Sequence, residues 1–221
     1  MNALLKSYGL LLSEVDSWFL RSMEQHPEMI VCGSGCSECC RGLFDITLLD
    51  AFYLKLGVDN LPVKVKKVIF RKALKRLESL KSINPAFVEP WLLNGIPEED
   101  WDELMPESDE TSCVLLSENG ECLVYGHRPM TCRLNGIPLL DLSGDEFFDE
   151  WCTLNFTSEA PHQLKDLRFG FYDLFARELL MFREFVCTLT GTALNEVDLF
   201  IPAAVVMERE KIIAAIKLLC R

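Results

Sequence analysis

Apolar residues follow a helical period in the first part of the chain. From Leu4 to Met23 they recur every three or four positions, and mostly polar residues fill the positions between them. Such spacing places an apolar stripe along one face of an α-helix. The pattern predicts an amphipathic helix that ends before Pro27.

Two further helices are predicted before residue 85. The segment Ile46–Leu56 is largely apolar, with Thr47 a candidate N-cap and Gly57 a candidate stop. A longer helix is predicted from Pro62 to about Ser82, and eight lysine and arginine residues lie beside its apolar stripe. This basic face could bind an acidic partner, face solvent, or pair with the acidic stretch that follows it.

The region after this helix differs in charge and in regularity. Residues 83–127 contain eleven acidic residues, no lysine or arginine, and several prolines. We expect a covering loop with one short helix near Glu98–Met105. Apolar and polar residues alternate from Cys113 to Tyr125 around Asn119-Gly120, a favoured hairpin turn, and they predict a strand pair.

The last third of the chain returns to helical spacing. Apolar residues predict one long helix from about Ser158 to Thr190. A final helix is predicted from near Pro202 to the end of the chain, with Leu219 on its buried face. The predicted elements are therefore mainly helical.

Composition and charge limit the classes of function. The 221 residues are 49% hydrophobic and 25% charged, as in ordinary folded proteins. The net charge of −12 opposes binding to nucleic acid or to an anionic membrane, so we expect neither partner. Glu14 and Asp16 interrupt the N-terminal apolar run, which predicts no signal peptide, and no run is long enough for a transmembrane helix. We therefore expect a cytoplasmic protein.

Eight of the ten cysteines fall in predicted loops or in the predicted hairpin. In a reducing cytoplasm, closely spaced cysteines are more often metal ligands or catalytic thiols than disulfides. The first group reads Cys32-Gly-Ser-Gly-Cys36-Ser-Glu-Cys39-Cys40, and its two-residue spacing lets a tight turn present two sulfurs to one metal. The predicted hairpin and the loop after it supply three more. The candidate metal ligands are Cys32, Cys36, Cys39, Cys40, Cys113, Cys122, Cys132 and Cys152.

These cysteines leave the metal and its nuclearity open. Four cysteines suit zinc as well as an iron–sulfur cluster such as a 4Fe–4S cluster, and eight supply two four-cysteine sites. Because adjacent side chains tend to point apart, Cys39 and Cys40 suit a multinuclear cluster, two nearby sites, or one ligand with one supporting thiol. Cys187 and Cys220 lie in helical patterns, where a cysteine is usually a small core residue, and we assign them no role.

Two arginines lie beside candidate ligands. At Arg128 and Arg133 a guanidinium would offset thiolate charge and donate hydrogen bonds to sulfur. Each could instead pair with a nearby carboxylate such as Asp141 or Asp145. His127 is left out of the ligand set, because a histidine in this context is more often solvated.

Three motifs carry a resemblance to a known family. They are Cys36-Ser-Glu-Cys39-Cys40-Arg41-Gly42, then Cys113-Val-Leu-Leu, then Cys122-Leu-Val-Tyr125-Gly-His-Arg128-Pro129-Met-Thr-Cys132-Arg133. Over residues 32–138 the chain resembles the YkgJ-type cysteine-cluster proteins, a zinc- or iron-chelating family. It departs from the family pattern after Arg133, where Leu134-Asn135-Gly136-Ile137 precedes Pro138. The resemblance implies a metal or iron–sulfur site. Some relatives look like protein methylases, but this chain has no glycine-rich loop for S-adenosylmethionine.

The sequence thus predicts a mainly α, single-domain protein, residues 1–221, with a small β-hairpin and irregular cysteine-bearing loops around a metal site. Residues 32–138 form the predicted metal-binding region, and residues 158–221 a C-terminal helical part. The predicted function is metal binding at a polycysteine zinc or iron–sulfur site, structural or redox in role. The alternatives are an iron–sulfur oxidoreductase or electron carrier, a metal buffering or delivery protein and, least favoured, a methylase-related enzyme. The sequence identifies no substrate or protein partner.

Overall fold

The computed structural model describes residues 1–33, 35–158 and 160–219. Helices dominate this part of the chain, and the predicted class, mainly α with a small hairpin, is confirmed. None of the described helices is long and apolar enough to cross a membrane. The helices are α1 (Asn2–Gln25), α2 (Leu48–Asp59), α3 (Val63–Ile83), α4 (Trp101–Leu104), α5 (Met130–Leu134), α6 (Phe171–Thr190), α7 (Ile201–Val206) and α8 (Arg209–Leu219). The strands are β1 (Asp45–Thr47), β2 (Leu139–Leu140), β3 (Glu146–Phe148) and β4 (Asp198–Phe200).

Helix α1 lies at the centre of the hydrophobic core, and it ends before Pro27 as predicted. Its apolar stripe is buried against α2, α5 and α6. Trp18 is 1% exposed, contacts the rings of Phe169 and Phe171, and donates its indole N–H to the Leu167 carbonyl at 2.8 Å. The sequence period therefore identified the face of α1 that packs into the core.

Helix α2 begins at Leu48, directly after the predicted N-cap, because Ile46 and Thr47 belong to β1, and it ends later than predicted. The Thr47 hydroxyl accepts the Asp50 N–H at 3.1 Å, which confirms the N-cap. Gly57 is not the stop, because it lies inside the helix. A Cβ at this position would stand 2.7 Å from the Cβ of His127, so the glycine allows the close approach of a neighbouring segment.

Helix α3 packs against α7 and buries Ile69, Ala73, Leu77 and Leu80. Its bounds agree with the predicted helix from Pro62 to Ser82. Most of its basic residues stay exposed to solvent. The short helix predicted near Glu98–Met105 is also present, as a 3₁₀ turn followed by α4.

The strand pair predicted over residues 113–125 is wrong. The turn is present, with Gly120 at φ +78°, but the one bridge there joins Leu116 to Cys122. Regular pairing occurs elsewhere: β1 pairs antiparallel with β4, and β2 pairs antiparallel with β3. Two amides of this segment, those of Leu115 and Val124, are directed at cysteine sulfurs, and the other backbone contacts form turns and not a ladder.

The C-terminal helices are shorter than predicted. The helix expected from Ser158 begins only at Phe171, because two 3₁₀ turns, Pro161–Gln163 and Lys165–Leu167, precede it. The predicted final helix is two helices, α7 and α8, separated at Met207. Leu219, expected to be buried, is 47% exposed. Cys220 lies outside the described residues.

Candidate metal centre

Six of the eight candidate ligands line a single cavity. It has a volume of about 440 Å³, and its walls also include apolar side chains such as Phe44, Leu54 and Ile201. Tyr125 and Arg128 line it as well. The six cysteines are Cys36, Cys39, Cys40, Cys113, Cys122 and Cys132.

Cys113 and Cys122 occupy two matching backbone turns. In each turn the amide two residues later, that of Leu115 or Val124, donates a hydrogen bond to the cysteine sulfur. Burial raises the pKa of Cys113 to about 11 and also raises that of Cys122, while these N–H groups oppose the shift. The Leu123 N–H donates to the Leu115 carbonyl at 2.9 Å and holds the turns together. Amides directed at sulfur stabilise a thiolate, so both turns suit metal ligands.

The first cysteine group reaches the same cavity through a backbone contact. The Cys113 N–H donates to the Cys40 carbonyl at 2.8 Å. The thiol of Cys39 donates a hydrogen bond to Cys40, which raises the pKa of Cys39 and lowers that of Cys40. Cys40 is therefore the more readily ionised of the two adjacent thiols.

Cys132 enters the cavity from α5, which is anchored to the hydrophobic core. The Met130 N–H at the start of α5 donates to the Asp50 carboxylate at 2.9 Å, and the Tyr8 hydroxyl donates to the same oxygen at 2.8 Å. Burial strongly raises the pKa of Cys132, and the thiols of Cys113 and Cys122 add to the shift. A carboxylate of the core thus fixes the position of this candidate ligand.

Cys32 and Cys152 lie apart from the cavity and close to each other. The Asn155 amide donates to the Cys32 sulfur at 3.3 Å and to the Gly136 carbonyl at 2.7 Å. The same carbonyl accepts the Cys152 N–H at 3.4 Å. Cys152 and Cys39 both line a second cavity, of about 380 Å³. Sequence reasoning missed Asn155, whose only signal is its position three residues after Cys152.

The two arginines share a partner that sequence reasoning also missed. Arg133, 4% exposed, forms an ion pair with Asp16 of α1 and donates to the carbonyls of Arg128 and Gly126 at 2.9 and 3.1 Å. The Nη2 atom of Arg128 lies 3.6 Å from Oδ1 of Asp16, and its Cζ lies 3.8 Å from the centroid of the Tyr125 ring. Both arginines therefore pair with a carboxylate, as the alternative interpretation expected, but the partner is Asp16 and not Asp141 or Asp145.

Arg128 keeps donor capacity for the cavity that it lines. Its Nε is buried and has no hydrogen-bond acceptor among the residues described. Its positive charge lowers the pKa of Cys122 and of Cys132, against the rise that burial causes. A guanidinium in this position fits a thiolate-rich centre, because it would donate to sulfur and offset negative charge.

Two further residues lie outside the site. His127 contacts the ring of Tyr53, with centroids 5.1 Å apart, and does not line the cavity. Burial lowers its pKa. Cys187 is exposed on α6, so the expectation of a core residue there is wrong.

The donor set fits a thiophilic metal, although the sulfurs do not yet converge on a point. Over residues 1–33, 35–158 and 160–219, no three histidine, cysteine, aspartate or glutamate side chains form a group that could hold an ion as they stand. Six soft sulfur donors around one cavity, with amides and a guanidinium beside them, suit zinc or iron. Binding would require the cysteine-bearing segments to draw their sulfurs together.

Comparison with known proteins gives one match. The model of the CxxCxxCC family, described as "Putative zinc- or iron-chelating domain", matches residues 31–153. This range is more than half of the chain and includes all eight candidate ligands. No curated protein and no solved structure shows a significant match.

Proposed function

The chain belongs to the CxxCxxCC family of zinc- or iron-chelating domains, and on that premise we propose that its eight cysteines hold metal in two adjacent four-thiol sites. One observation carries the proposal: six cysteines surround one cavity, and the other two meet beside it at Gly136. The inner site comprises Cys40, Cys113, Cys122 and Cys132, and the outer site comprises Cys32, Cys36, Cys39 and Cys152.

Coordination chemistry supports a division into fours. Zinc in protein sites takes four ligands, and an iron–sulfur cluster takes four cysteines, so six thiols exceed the needs of one such centre. Cys32 and Cys152 supply the two ligands that a second centre would lack. The adjacent pair Cys39 and Cys40 would then stand at the boundary, with one thiol in each site.

The contacts among the thiols support the same division. The inner thiols are joined through the Cys40 and Cys113 backbones and through the paired turns at Cys113 and Cys122. In the outer set, burial raises the pKa of Cys32, Asn155 opposes the shift, and the nearby thiols Cys36, Cys152 and Cys39 raise it further. The Cys32 thiol is therefore influenced by the cysteines of its own set.

The surrounding residues have separate tasks in this proposal. The amides of Leu115 and Val124 would stabilise inner thiolates, Asn155 would donate to Cys32, and Arg128 would offset charge at the boundary. Bound iron–sulfur clusters supply one-electron chemistry, whereas bound zinc supplies structural cohesion.

Of the possible roles, the geometry supports electron transfer better than stabilisation of the whole fold. The buried apolar core spans α1, α2, α3 and α6, and no described residue of 31–44 is buried in it, so most of the burial comes from the helices. Cys36 is exposed and Tyr125 is 64% exposed, so the centres would lie near the surface, within reach of a redox partner. The same exposure of Cys36 favours metal delivery as a second candidate.

Metal and acid-labile sulfide analysis tests the role. The protein is purified without oxygen and without a metal-binding tag, and its visible spectrum is recorded before and after dithionite. Iron with matching sulfide and a reversible loss of absorbance supports electron transfer. Zinc without sulfide overturns that role, and rapid exchange of zinc with a chelator then identifies delivery.

Paired variants test the two sites. We expect C32S/C152S and C113S/C122S each to retain half of the wild-type metal, and C187S, the matched control, to retain all of it. Far-UV circular dichroism checks that every variant is folded. Complete metal loss in either double variant indicates one shared centre, and unchanged metal in C32S/C152S removes the outer site. A wild-type protein without metal overturns metal binding itself.

A further inference from the structure

A second concave surface, which we call the basic groove, lies between α3 and residues 111–118. Its volume is about 530 Å³, within the range of small-molecule sites. Lys72, Lys75 and Arg76 of α3 line it, and Cys113 lines both this groove and the cysteine cavity. Apart from Cys113, the proposed metal chemistry uses none of the groove residues, so the basic charges need a separate explanation.

The groove is positively charged in a strongly acidic chain. Lys72 and Lys75 are exposed and form no ion pair within the described residues. Arg76 is 16% exposed and is held in place by its ion pair with Asp109. Glu118 is the one carboxylate among the described lining residues. Two unpaired ammonium groups in a chain of net charge −12 create a local field that attracts anions.

The remaining walls offer both polar and apolar contacts. The hydroxyls of Ser79, Thr111 and Ser112 line the groove, and hydroxyl and ammonium donors together are suited to phosphate or carboxylate oxygens. Val114 and Leu116 provide apolar surface for the body of an organic ligand. The walls therefore match a molecule that has a multiply charged end and a small carbon frame.

We propose that the basic groove binds a small organic anion that carries a phosphate group or several carboxylates. Lys72 and Lys75 bind the charged end, and the hydroxyls of α3 and of residues 111–112 complete its hydrogen bonds.

Isothermal titration calorimetry of the protein as purified tests the groove. The probes are glycerol 3-phosphate and tricarballylate, which represent the two sources of charge, with glycerol as the neutral control. We expect one or both anions, and not glycerol, to bind in low-salt buffer, with the amide NMR signals of residues 111–118 shifting most. Binding should weaken as salt is added.

Variants of the same helix separate a built site from diffuse charge. K72Q/K75Q should weaken anion binding about tenfold or more, since two charge-assisted contacts are lost. K64Q/K67Q removes the same charge from exposed positions of α3 outside the groove and should change binding about twofold or less. The lysines are outside the cysteine set, so this result is independent of metal content.

Three outcomes overturn the proposal. The first is that neither anion binds the wild-type protein at millimolar concentration. The second is that both double variants weaken binding equally. The third is binding of a polyglutamate peptide when neither small anion binds, which would identify a docking face for an acidic protein instead.

Discussion

The helical core and the cysteine-bearing segments of this chain differ in the interactions that stabilise them. Residues 31–44 and 106–129 carry six of the eight candidate ligands, and none of the described residues in 31–44 is buried. In α1, by contrast, the apolar stripe is almost completely buried. Burial of apolar surface stabilises the first region. In the second region only Val114, Leu115, Val124 and Pro129 are buried among the described residues, and further cohesion would come when sulfur binds metal. The comparison teaches that stability and metal chemistry are separable here.

The largest effect should come from the centre of the helical core. Trp18→Ala removes a side chain that is 1% exposed together with its hydrogen bond to Leu167, and we expect it to cost about 3–5 kcal/mol of unfolding free energy. Urea denaturation measures this loss. Leu10→Ala, at a position 64% exposed on the same helix, is the control and should change stability by about 0.5 kcal/mol or less. A small loss for Trp18→Ala would contradict the assignment of stability to the core.

The next effect should appear where the two regions meet. Arg133→Gln breaks the ion pair between the buried guanidinium and the partly exposed Asp16 carboxylate and leaves carbonyls of the cysteine loop without their donor, at a cost of about 2 kcal/mol. Thermal unfolding of the protein with and without metal measures it. Arg177→Gln, which removes an exposed pair with Glu14, should cost about 0.5 kcal/mol. Equal losses in both variants would show that Arg133 has no special part in joining the regions.

A pH-dependent effect of similar size should be confined to the core. Burial raises the pKa of Glu178 from 4.5 to about 8, the Asp50 charge adds to the shift, and a hydrogen bond from Tyr8 opposes it. Between these two pKa values the folded state binds a proton that the unfolded state does not. The stabilisation that this proton provides is fully present below pH 4.5 and is lost as pH rises through 8. We expect a decline of about 2 kcal/mol between pH 6 and 8 in the wild type.

Glu178→Gln should flatten this decline in urea denaturation series across that range. Asp198, whose burial raises its pKa to about 7, titrates in the same direction and should leave a residual slope. A wild-type stability that rises between pH 6 and 8 would contradict the prediction.

The smallest effect on the helices should follow removal of the metal. We expect chelation to leave the far-UV circular dichroism of the helices nearly unchanged, because most of the buried core is formed by the helices themselves and the cysteines pack only at its edge. Hydrogen exchange should increase in residues 31–44 and 106–129 and stay slow in α1 and α6. Global unfolding on chelation would contradict the separation of the two regions and would show that the metal site stabilises the whole chain.

Local patterns allowed much of the helical fold to be predicted. The bounds of α1 and α3 follow from apolar spacing and from Pro27 and Pro62, and Thr47 caps α2 through a contact three residues away. Gly57 was wrongly predicted to end α2, because its role is to let His127, which is distant in sequence, pack against the helix. The pairing of β1 with β4 joins segments about 150 residues apart and has no local signal.

The site was predictable only in part, for the same reason. The cysteine motifs identify the family because ligand spacing is local. Residues 113–125 look like a strand pair by alternation, yet amides of Leu115 and Val124 donate to sulfur, which alternation cannot reveal. Asp16 and Asn155 contact the cysteine region from more than a hundred residues away along the chain, at Arg133 and Cys32 respectively.

The shared contacts of Asp50 limit how the cysteine region can be reused in protein engineering. One carboxylate oxygen accepts the Tyr8 hydroxyl of α1 and the Met130 amide that starts α5. A graft of residues 31–153 onto a foreign scaffold would include Asp50 but would leave Tyr8 behind. A transplant would therefore need α1 as well, with Asp16 for Arg133, so the smallest portable unit begins at the first helix of the chain.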